Sequence, residues 1–354
     1  MHFSQQIIAW YKINKRDLPW RKTSNPYVIW LSEIILQQTR VNQGLAYFYT
    51  FLEHYPTIAD FAAAPEEEIL RHWQGLGYYS RARNMLKAAK IVMDEHAGVF
   101  PSSYRELIKL PGIGEYTASA ISSFSKNEQK AVVDGNVSRV LSRYFAIDEP
   151  INSIKGKKIF LELAYEMLLK ENPGLHNQAI MEFGALQCKP QSPDCEICPL
   201  QLSCLAHRNQ LVNKLPIKIK ANKSKNRYFN YFLIREGDKI LMQKRGSGDI
   251  WENLYELPLI ESAIPVNEEK IQYSKEFQDA FGKEFRIIYS SSTIKHILSH
   301  QNIYARFFEI INIEKKQIKN KDCNYVLIKD LDKLAKSKLI FSFFEEYLFK
   351  PKLI

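Results

Sequence analysis

The chain has 354 residues, more than one ordinary hydrophobic core accommodates, so two or three domains are expected. Apolar residues make up 45% and charged residues 25%, which excludes a mainly disordered or fibrous chain. The net charge of +10 suits a nucleic-acid partner and equally a soluble protein that is merely basic. No apolar run reaches the ~18 residues of a membrane span, and the first residues lack the features of a secretory signal. We therefore expect a cytoplasmic protein with no membrane partner.

The first part of the chain, from residue 1 to about 205, is predicted to be helical. Apolar residues recur at spacings of three and four over 3–11, 28–35 and 85–92. Turn signals such as Asn25-Pro26 separate these runs. These features predict an all-α domain over 1–206.

A change of composition follows near residue 207. Residues 207–227 contain seven Lys or Arg and no Asp or Glu, which predicts a basic linker or a strip that lies on phosphates. Beyond it, short alternating segments predict an α+β domain over 228–354. The candidate strands are 228–235, 239–244, 254–257 and 303–311, with helices near 276–280 and 334–349.

Four of the five cysteines form one cluster, with the spacing Cys-x6-Cys-x2-Cys-x5-Cys. A single compact tract in a chain without a signal peptide indicates a metal site rather than a disulfide framework. The irregular spacing favours a [4Fe–4S] cluster wrapped by one loop, and a structural zinc site remains the alternative. The ligands would be Cys188, Cys195, Cys198 and Cys204.

A hairpin sequence, Leu110-Pro111-Gly112-Ile113-Gly114, lies between two predicted helices at 104–109 and 116–124. Its glycines permit a tight turn and expose backbone N–H groups at a helix N-terminus, which bind a phosphate without recognising sequence. Alone, such a motif equally fits an ordinary turn between helices.

Two carboxylates suit the cleavage of an N-glycosidic bond. Glu33 lies among apolar helix residues, so it is either on a solvent-exposed face or in a pocket. In an apolar pocket its pKa would rise, and it could stay protonated as a general acid. Asp134 precedes a helical segment, and as an N-cap it would stay ionised. A protonated leaving base and a negative charge beside the oxocarbenium ion are the two aids that this reaction needs. A base in a duplex must also be flipped out of the stack.

Together, the cysteine spacing, the hairpin and Val132-Val133-Asp134 resemble the endonuclease III-like, helix-hairpin-helix DNA glycosylases. Within that superfamily the chain resembles the adenine DNA glycosylases of the MutY type, which remove adenine mispaired with 8-oxoguanine. Three segments carry this closer resemblance: Leu18-Pro19-Trp20, Leu31–Thr39 and Gly75–Arg81.

The resemblance implies a role for each matching residue. Glu33 would protonate adenine, Asp134 would stabilise the oxocarbenium ion or bond to it, and Tyr116 and Asn136 would position these groups and the water. Arg16, Trp20 and Gln178 would line the adenine pocket. Gln38 and Tyr78 would fill the stack beside the orphaned base. A less favoured alternative is that Trp20 and Tyr78 are simply core residues. Leu110, Gly112 and Gly114 would belong to the hairpin on the DNA backbone.

Tyr116 separates this sequence from the bifunctional relatives, which carry a lysine at this place in the second hairpin helix. A phenol cannot form a Schiff base, so strand scission by β-elimination is not expected. The enzyme would act as a monomer on double-stranded DNA with A·8-oxoguanine or A·G mispairs, and would be nucleoid-associated when bound.

The C-terminal part resembles the Nudix-like domain of the same family. Trp251–Pro258 matches the strand before the Nudix catalytic helix, but the acidic metal-binding box is missing over 274–282, so no pyrophosphohydrolase activity is expected. In the segment 296–300, Ser299 and His300 match the family's loop for recognising 8-oxoguanine, whereas Leu298 replaces its aromatic residue.

Three other functions fit the sequence less well. A thymine- or pyrimidine-specific relative is disfavoured by Gln178 and by the Ser299-His300 loop. A non-catalytic DNA-binding iron–sulfur protein would need neither Glu33 nor Asp134. A Nudix hydrolase is the least favoured, because the box is missing.

Overall fold

The computed structural model describes residues 3–219, 224–266, 268–282, 285–311 and 323–349. The chain forms two compact units. The first comprises the described residues of 1–63 and 84–221, and the second those of 64–83 and 222–354. In these described ranges, no helix has both the length and the apolar character that crossing a membrane requires.

The first unit is helical, as predicted. Its helices are α1 (Phe3–Asn14), α2 (Pro26–Ile35), α3 (Val41–His54), α4 (Ile58–Ala63), α7 (Tyr104–Leu107), α8 (Glu115–Lys126), α9 (Gly135–Tyr144), α10 (Ile154–Met167), α11 (Pro173–Leu186) and α12 (Leu205–Arg208). The helix α6 (Ser80–Glu95) begins in the second unit and continues into the first.

Side-chain caps define where several of these helices begin. Asn25 accepts a hydrogen bond from the backbone N–H of Tyr27, and Pro26 occupies the first turn of α2. Asn172 caps α11 in the same way, and the residue that follows it is again a proline. Both caps satisfy a backbone donor that the helix itself leaves unpaired. The Asn-Pro turn signals of the sequence therefore mark helix starts.

One core of the first unit joins α1, α9 and α11. Ile7 and Tyr11 of α1 pack with Leu141 of α9 and with Ile180 and Phe183 of α11. All five side chains are buried. Truncating a buried phenylalanine such as Phe183 to alanine costs about 3–5 kcal/mol, because the vacated volume does not refill. This packing holds the start of α9 beside α11.

Within its described residues, the second unit contains a mixed sheet of eight strands. Its strands are β1 (Lys225–Glu236), β2 (Lys239–Lys244), β3 (Tyr255–Glu256), β4 (Leu259–Ser262), β5 (Arg286–Ser290), β6 (Ile294–Ile297), β7 (Gln301–Ile311) and β8 (Cys323–Leu327). Its helices are α5 (Glu66–His72), α13 (Glu268–Ile271), α14 (Lys275–Phe281) and α15 (Lys338–Phe344).

The two long strands β1 and β7 pair in parallel, from Lys225 opposite Gln301 to Ile234 opposite Ile310. Tyr231 points to one core cluster, and its neighbour Phe232 to another that includes α14. Because both faces are covered, six consecutive residues of β1 are buried. This explains why five of these six residues, 229–234, are apolar rather than alternating with polar ones.

The predicted strands at 228–235, 239–244 and 303–311 are confirmed. The strand predicted at 254–257 is only Tyr255–Glu256, and the helix predicted from residue 334 begins at Lys338. Ser337 caps that helix, since its hydroxyl accepts from the N–H of Ile340. The apolar periodicity of the sequence continues on the N-terminal side of this cap, so the predicted helix begins too early in the chain.

Candidate active site

A cavity of about 480 Å³ opens in the first unit. It brings together all four predicted catalytic side chains and four of the predicted substrate-binding ones, namely Glu33, Tyr116, Asp134, Asn136, Arg16, Trp20, Gln38 and Gln178. Tyr78, Ser299 and His300 belong to the second unit.

Glu33 lies on α2, whose neighbouring residues Ser32 and Ile34 are buried. Surrounding protein atoms raise the pKa of Glu33 to about 7, and the charge of Asp134 acts in the same direction. A hydrogen bond with Tyr116, on the first turn of α8, lowers that pKa in part. Part of Glu33 stays open to the cavity. A carboxyl group in this state can hold a proton at neutral pH and donate it to a bound base.

Asp134 is the N-cap of α9. Its Oδ1 accepts from the backbone N–H groups of Asn136 and Val137 over 2.9 and 2.7 Å, and its Oδ2 accepts from Asn136 Nδ2 over 2.6 Å. Burial raises the pKa of Asp134, while these three donors act to lower it. Of two neighbouring carboxyl groups that repel each other's charge, the one with three donors is the better anion. Of the pair, Glu33 is therefore the group whose surroundings favour the protonated form.

Arg139, one turn further along α9, fixes the amide of Asn136. Its Nη2 donates to Asn136 Oδ1 over 2.9 Å and to the carbonyl of Gly184 over 2.6 Å. Its Nε donates to the carbonyl of Cys188 over 2.8 Å. The amide oxygen of Asn136 is thus occupied, which leaves its nitrogen for Asp134.

The lining of the cavity also includes two residues that sequence reasoning missed, Arg21 and Glu182. Glu182 accepts from Arg16 Nη2 over 2.6 Å and from Arg21 Nη2 over 2.7 Å. Burial alone would raise the pKa of Glu182, but these hydrogen bonds lower it to about 2. A helical spacing could have found Glu182, which lies four residues after Gln178 on α11.

Two predicted pocket residues are also partly structural. The indole of Trp20 packs edge-on against Phe48 at a centroid distance of 5.2 Å. Gln178 Oε1 accepts from the hydroxyl of Tyr11 over 3.1 Å. Gln38 is exposed and has a left-handed backbone, with φ of 59°. These contacts fix side chains at the rim and wall of the cavity.

The hairpin connects α7 to α8. Gly112 has φ of 78°, and a Cβ there would lie 2.8 Å from Asn84 Cβ, so both conformation and space require glycine. Gly114 is the N-cap of α8 and has no side chain to cap it. Leu110 is buried and anchors the turn. The N-terminal N–H groups of α8 can therefore receive an external acceptor such as a phosphate oxygen.

The four clustered cysteines line one small cavity of about 30 Å³ in the first unit. The pKa of Cys198 is raised to about 12, mainly by burial and in smaller part by the charges of the other three cysteines, against the lowering effect of a hydrogen bond from the backbone of Leu200. Arg143 Nη1 lies 3.4 Å from Cys188 Sγ. Over the ranges that the structure describes, no set of three or more His, Cys, Asp or Glu side chains is placed to hold a metal ion.

In the second unit, Ser299 and His300 are exposed in the turn between β6 and β7. Leu298, which replaces the aromatic residue of the family, packs against the core of this unit. Tyr78 is 48% exposed and has φ of 50°. A large exposed ring on a strained backbone is unusual for a residue that only fills a core.

Family models match both units. A model of the HhH-GPD superfamily of base excision DNA repair proteins matches residues 31–164, and a NUDIX domain model matches residues 230–346. Among solved structures, a thermostable thymine-DNA glycosylase is 29% identical with a TM-score of 0.54, over 58% of this chain and 95% of that one. A trapped covalent endonuclease III–DNA intermediate is 25% identical with a TM-score of 0.51, over 59% of this chain and 95% of that one.

The helical fold, the hairpin and the paired carboxylates thus define a DNA glycosylase of the HhH-GPD superfamily, followed by a Nudix-like domain. An adenine DNA glycosylase of Buchnera aphidicola subsp. Baizongia pistaciae is 38% identical over 321 residues, which cover 87% of this chain and 86% of that protein. The chain belongs to the adenine DNA glycosylases. It hydrolyses the N-glycosidic bond of adenine in DNA as part of base excision repair.

Proposed function

We propose that this adenine DNA glycosylase acts on adenine mispaired with 8-oxoguanine or guanine, and that it leaves the DNA strand intact. The observation that supports this chemistry is that Glu33 and Asp134 line the same cavity but have different surroundings. One carboxyl group holds a proton near neutral pH, and the other accepts three hydrogen bonds.

In the proposed mechanism, Glu33 donates its proton to the flipped adenine, because an adenine anion leaves poorly. Positive charge then develops on the sugar, and the Asp134 carboxylate stabilises it or bonds to it. Asn136 holds Asp134 by its 2.6 Å hydrogen bond, and Tyr116 holds Glu33. A water molecule completes the hydrolysis, and the product is an abasic site.

The adenine pocket is assigned to other residues that line the same cavity. The amide of Gln178 can pair with an adenine edge through a donor and an acceptor together. Arg16, Trp20, Arg21 and Glu182 line the cavity together with Gln178. The ion pairs of Glu182 hold both guanidinium groups in place. A pocket of fixed donors and acceptors discriminates strongly against a base that leaves them unpaired.

The enzyme is monofunctional because Tyr116 occupies the hairpin-helix position where bifunctional relatives carry a lysine. The hydroxyl of Tyr116 is hydrogen-bonded to Glu33, and burial raises the pKa of Tyr116 well above its usual value. A neutral phenol forms no imine with the deoxyribose, so β-elimination has no starting intermediate.

Recognition of the opposite base is assigned to the second unit. The exposed Ser299 and His300 supply hydrogen bonds to 8-oxoguanine, and Tyr78 stacks beside it. Gln38, from the first unit, fills the space that the flipped adenine leaves. Leu298 packs into the core, so the loop works here without an aromatic residue.

We assign a [4Fe–4S] cluster to Cys188, Cys195, Cys198 and Cys204. Four soft sulfur donors that line one cavity suit iron, and in such a cluster each thiolate binds a different iron. When bound, the cluster would cross-link the loop that follows α11. Arg143, at 3.4 Å from Cys188 Sγ, would offset part of the thiolate charge.

Contacts with the DNA backbone are assigned to the hairpin residues Leu110, Gly112 and Gly114, supported by the net charge of +10. We further propose that the active form is a monomer on nucleoid DNA in the cytoplasm.

The test offers four duplexes, which place A opposite 8-oxoguanine, A opposite G, A opposite T, and T opposite G. Each is treated with alkali after incubation. We expect cleavage of the A strand in the first two duplexes only, dependent on alkali. Removal of thymine would support the pyrimidine-specific alternative, and cleavage without alkali at the rate of base release would show a lyase.

The recognition loop is tested in the same assay by Ser299→Ala with His300→Ala, against Ser292→Ala as an exposed control in the same unit. The double variant should lose its preference for A opposite 8-oxoguanine over A opposite G. Equal losses on both substrates would contradict the assigned role.

A further inference from the structure

Tyr78 is carried by a glycine-rich turn in the second compact unit, although this turn lies in the N-terminal part of the sequence. Gly75 and Gly77 have φ of 98° and 73°, and Tyr78 itself has φ of 50°. The guanidinium of Arg81 lies 5.5 Å from the centre of the Tyr78 ring. A turn with three left-handed residues in four needs outside contacts to hold one conformation.

The hydroxyl of the next residue, Tyr79, supplies such a contact. It accepts from the backbone N–H of Gly75 over 3.4 Å and donates to the carbonyl of Lys336 over 3.1 Å. Tyr79 is buried, so both bonds are shielded from water. One phenol thus connects the turn to the segment that precedes α15.

A second contact joins the same two segments. The backbone N–H of Lys336 donates to Gln74 Oε1 over 3.1 Å. The side chain of Lys336 is buried, and its Nζ donates to the carbonyls of Leu331 and Leu334, so the segment is itself held. Residue 336 is therefore a fixed support for the turn.

Two polar contacts flank this support. Arg83 donates to the carbonyl of Glu252 over 2.9 Å and to its carboxylate over 3.1 Å. Asn253 Nδ2 donates to Glu66 Oε1 over 2.6 Å. Hydrogen bonds thus join both ends of the segment 64–83 to the loop before β3, and its middle to residue 336.

We infer that Tyr79, Gln74 and Lys336 are positioning residues for Tyr78, so that the stacking tyrosine and the Ser299-His300 loop are carried by one unit. This inference rests on the proposed function, in which both elements face 8-oxoguanine. Its consequence is that the choice of the opposite base depends on a hydroxyl that touches no DNA.

The test measures single-turnover excision rates on A·8-oxoguanine and A·G duplexes and takes their ratio. Tyr79→Phe removes only the hydroxyl and should lower that ratio by about 2- to 10-fold, the loss expected for one or two buried hydrogen bonds. Tyr78→Ala should lower it as well. The double variant should be no worse than Tyr78→Ala, because residues that act through one another are not additive.

Tyr231→Phe is the matched control, since Tyr231 also has a buried hydroxyl in this unit, bonded to Glu256 over 3.0 Å. The ratio of excision rates of Tyr231→Phe should match that of the wild type. Equal losses in Tyr79→Phe and Tyr231→Phe would overturn the inference, as would an unchanged ratio in Tyr79→Phe or in Tyr78→Ala. A wild-type ratio near one would instead refute the proposed function. If Tyr79→Phe does not fold, Gln74→Ala tests the same support by removing the acceptor for Lys336.

Discussion

The side-chain amide of Asn136 donates to Oδ2 of Asp134 over 2.6 Å, while its oxygen accepts from Arg139 over 2.9 Å. The amide cannot rotate without losing both hydrogen bonds. Two backbone N–H groups hold the other oxygen of Asp134. The carboxylate is therefore fixed in direction before any substrate binds, which is the preorganisation that electrostatic stabilisation requires.

Asn136→Ala should lower the single-turnover rate of adenine excision about 10- to 100-fold, because it removes a charge-assisted hydrogen bond to Asp134. The loss should lie in the rate and not in the affinity for the mispaired duplex. Asn14→Ala is a suitable control, since Asn14 lies in the same unit and bonds only to its own helix. Equal rates in Asn136→Ala and the wild type would show that Asp134 needs no such support.

The excision rate should fall as pH rises through about 7, the value to which burial raises the pKa of Glu33. The sign follows from the role of the group. A proton donor is active in its protonated form, and that form is lost above the pKa. The slope should approach a tenfold loss per pH unit, measured under single-turnover conditions. The descending limb should disappear in Glu33→Gln, and a wild-type rate that rises above pH 7 would contradict the assignment.

Cys198→Ser should lose iron and sulfide and should weaken binding to DNA, because the cluster loop would lose one of its four assigned ligands. Cys323→Ser is the matched control, since Cys323 belongs to the second unit and is not among the residues that line the cavity of the four cysteines. Iron and sulfide are assayed in protein that was purified without oxygen. One equivalent of zinc with no iron in the wild type would favour the structural zinc alternative.

Much of the candidate site could be predicted from sequence because its residues lie in short contiguous motifs. Glu33 is the one acidic residue in the apolar run of α2, and Asp134 has the position of an N-cap. The partnership of Arg21 with Glu182 was not foreseen, because 161 positions separate them in the chain. Only packing of α11 near residues 16–21 brings their charges together.

The assignment of residues 64–83 to the second unit was also beyond sequence reasoning. Locally the segment is an ordinary helix and turn, and nothing in its composition indicates a sheet-containing partner. Its attachment depends on single hydrogen bonds such as that between Tyr79 and residue 336, which lie 257 positions apart. Local periodicity contains no information on such pairs.

The most direct test of the central claim is the single-turnover rate of Glu33→Gln on a duplex with A opposite 8-oxoguanine. Glutamine keeps the size and polarity of the side chain but has no acidic proton. We predict a loss of at least ~100-fold in excision, with affinity for the duplex retained in a binding assay on the same protein. An excision rate equal to that of the wild type would show that Glu33 is not the acid and would contradict the mechanism.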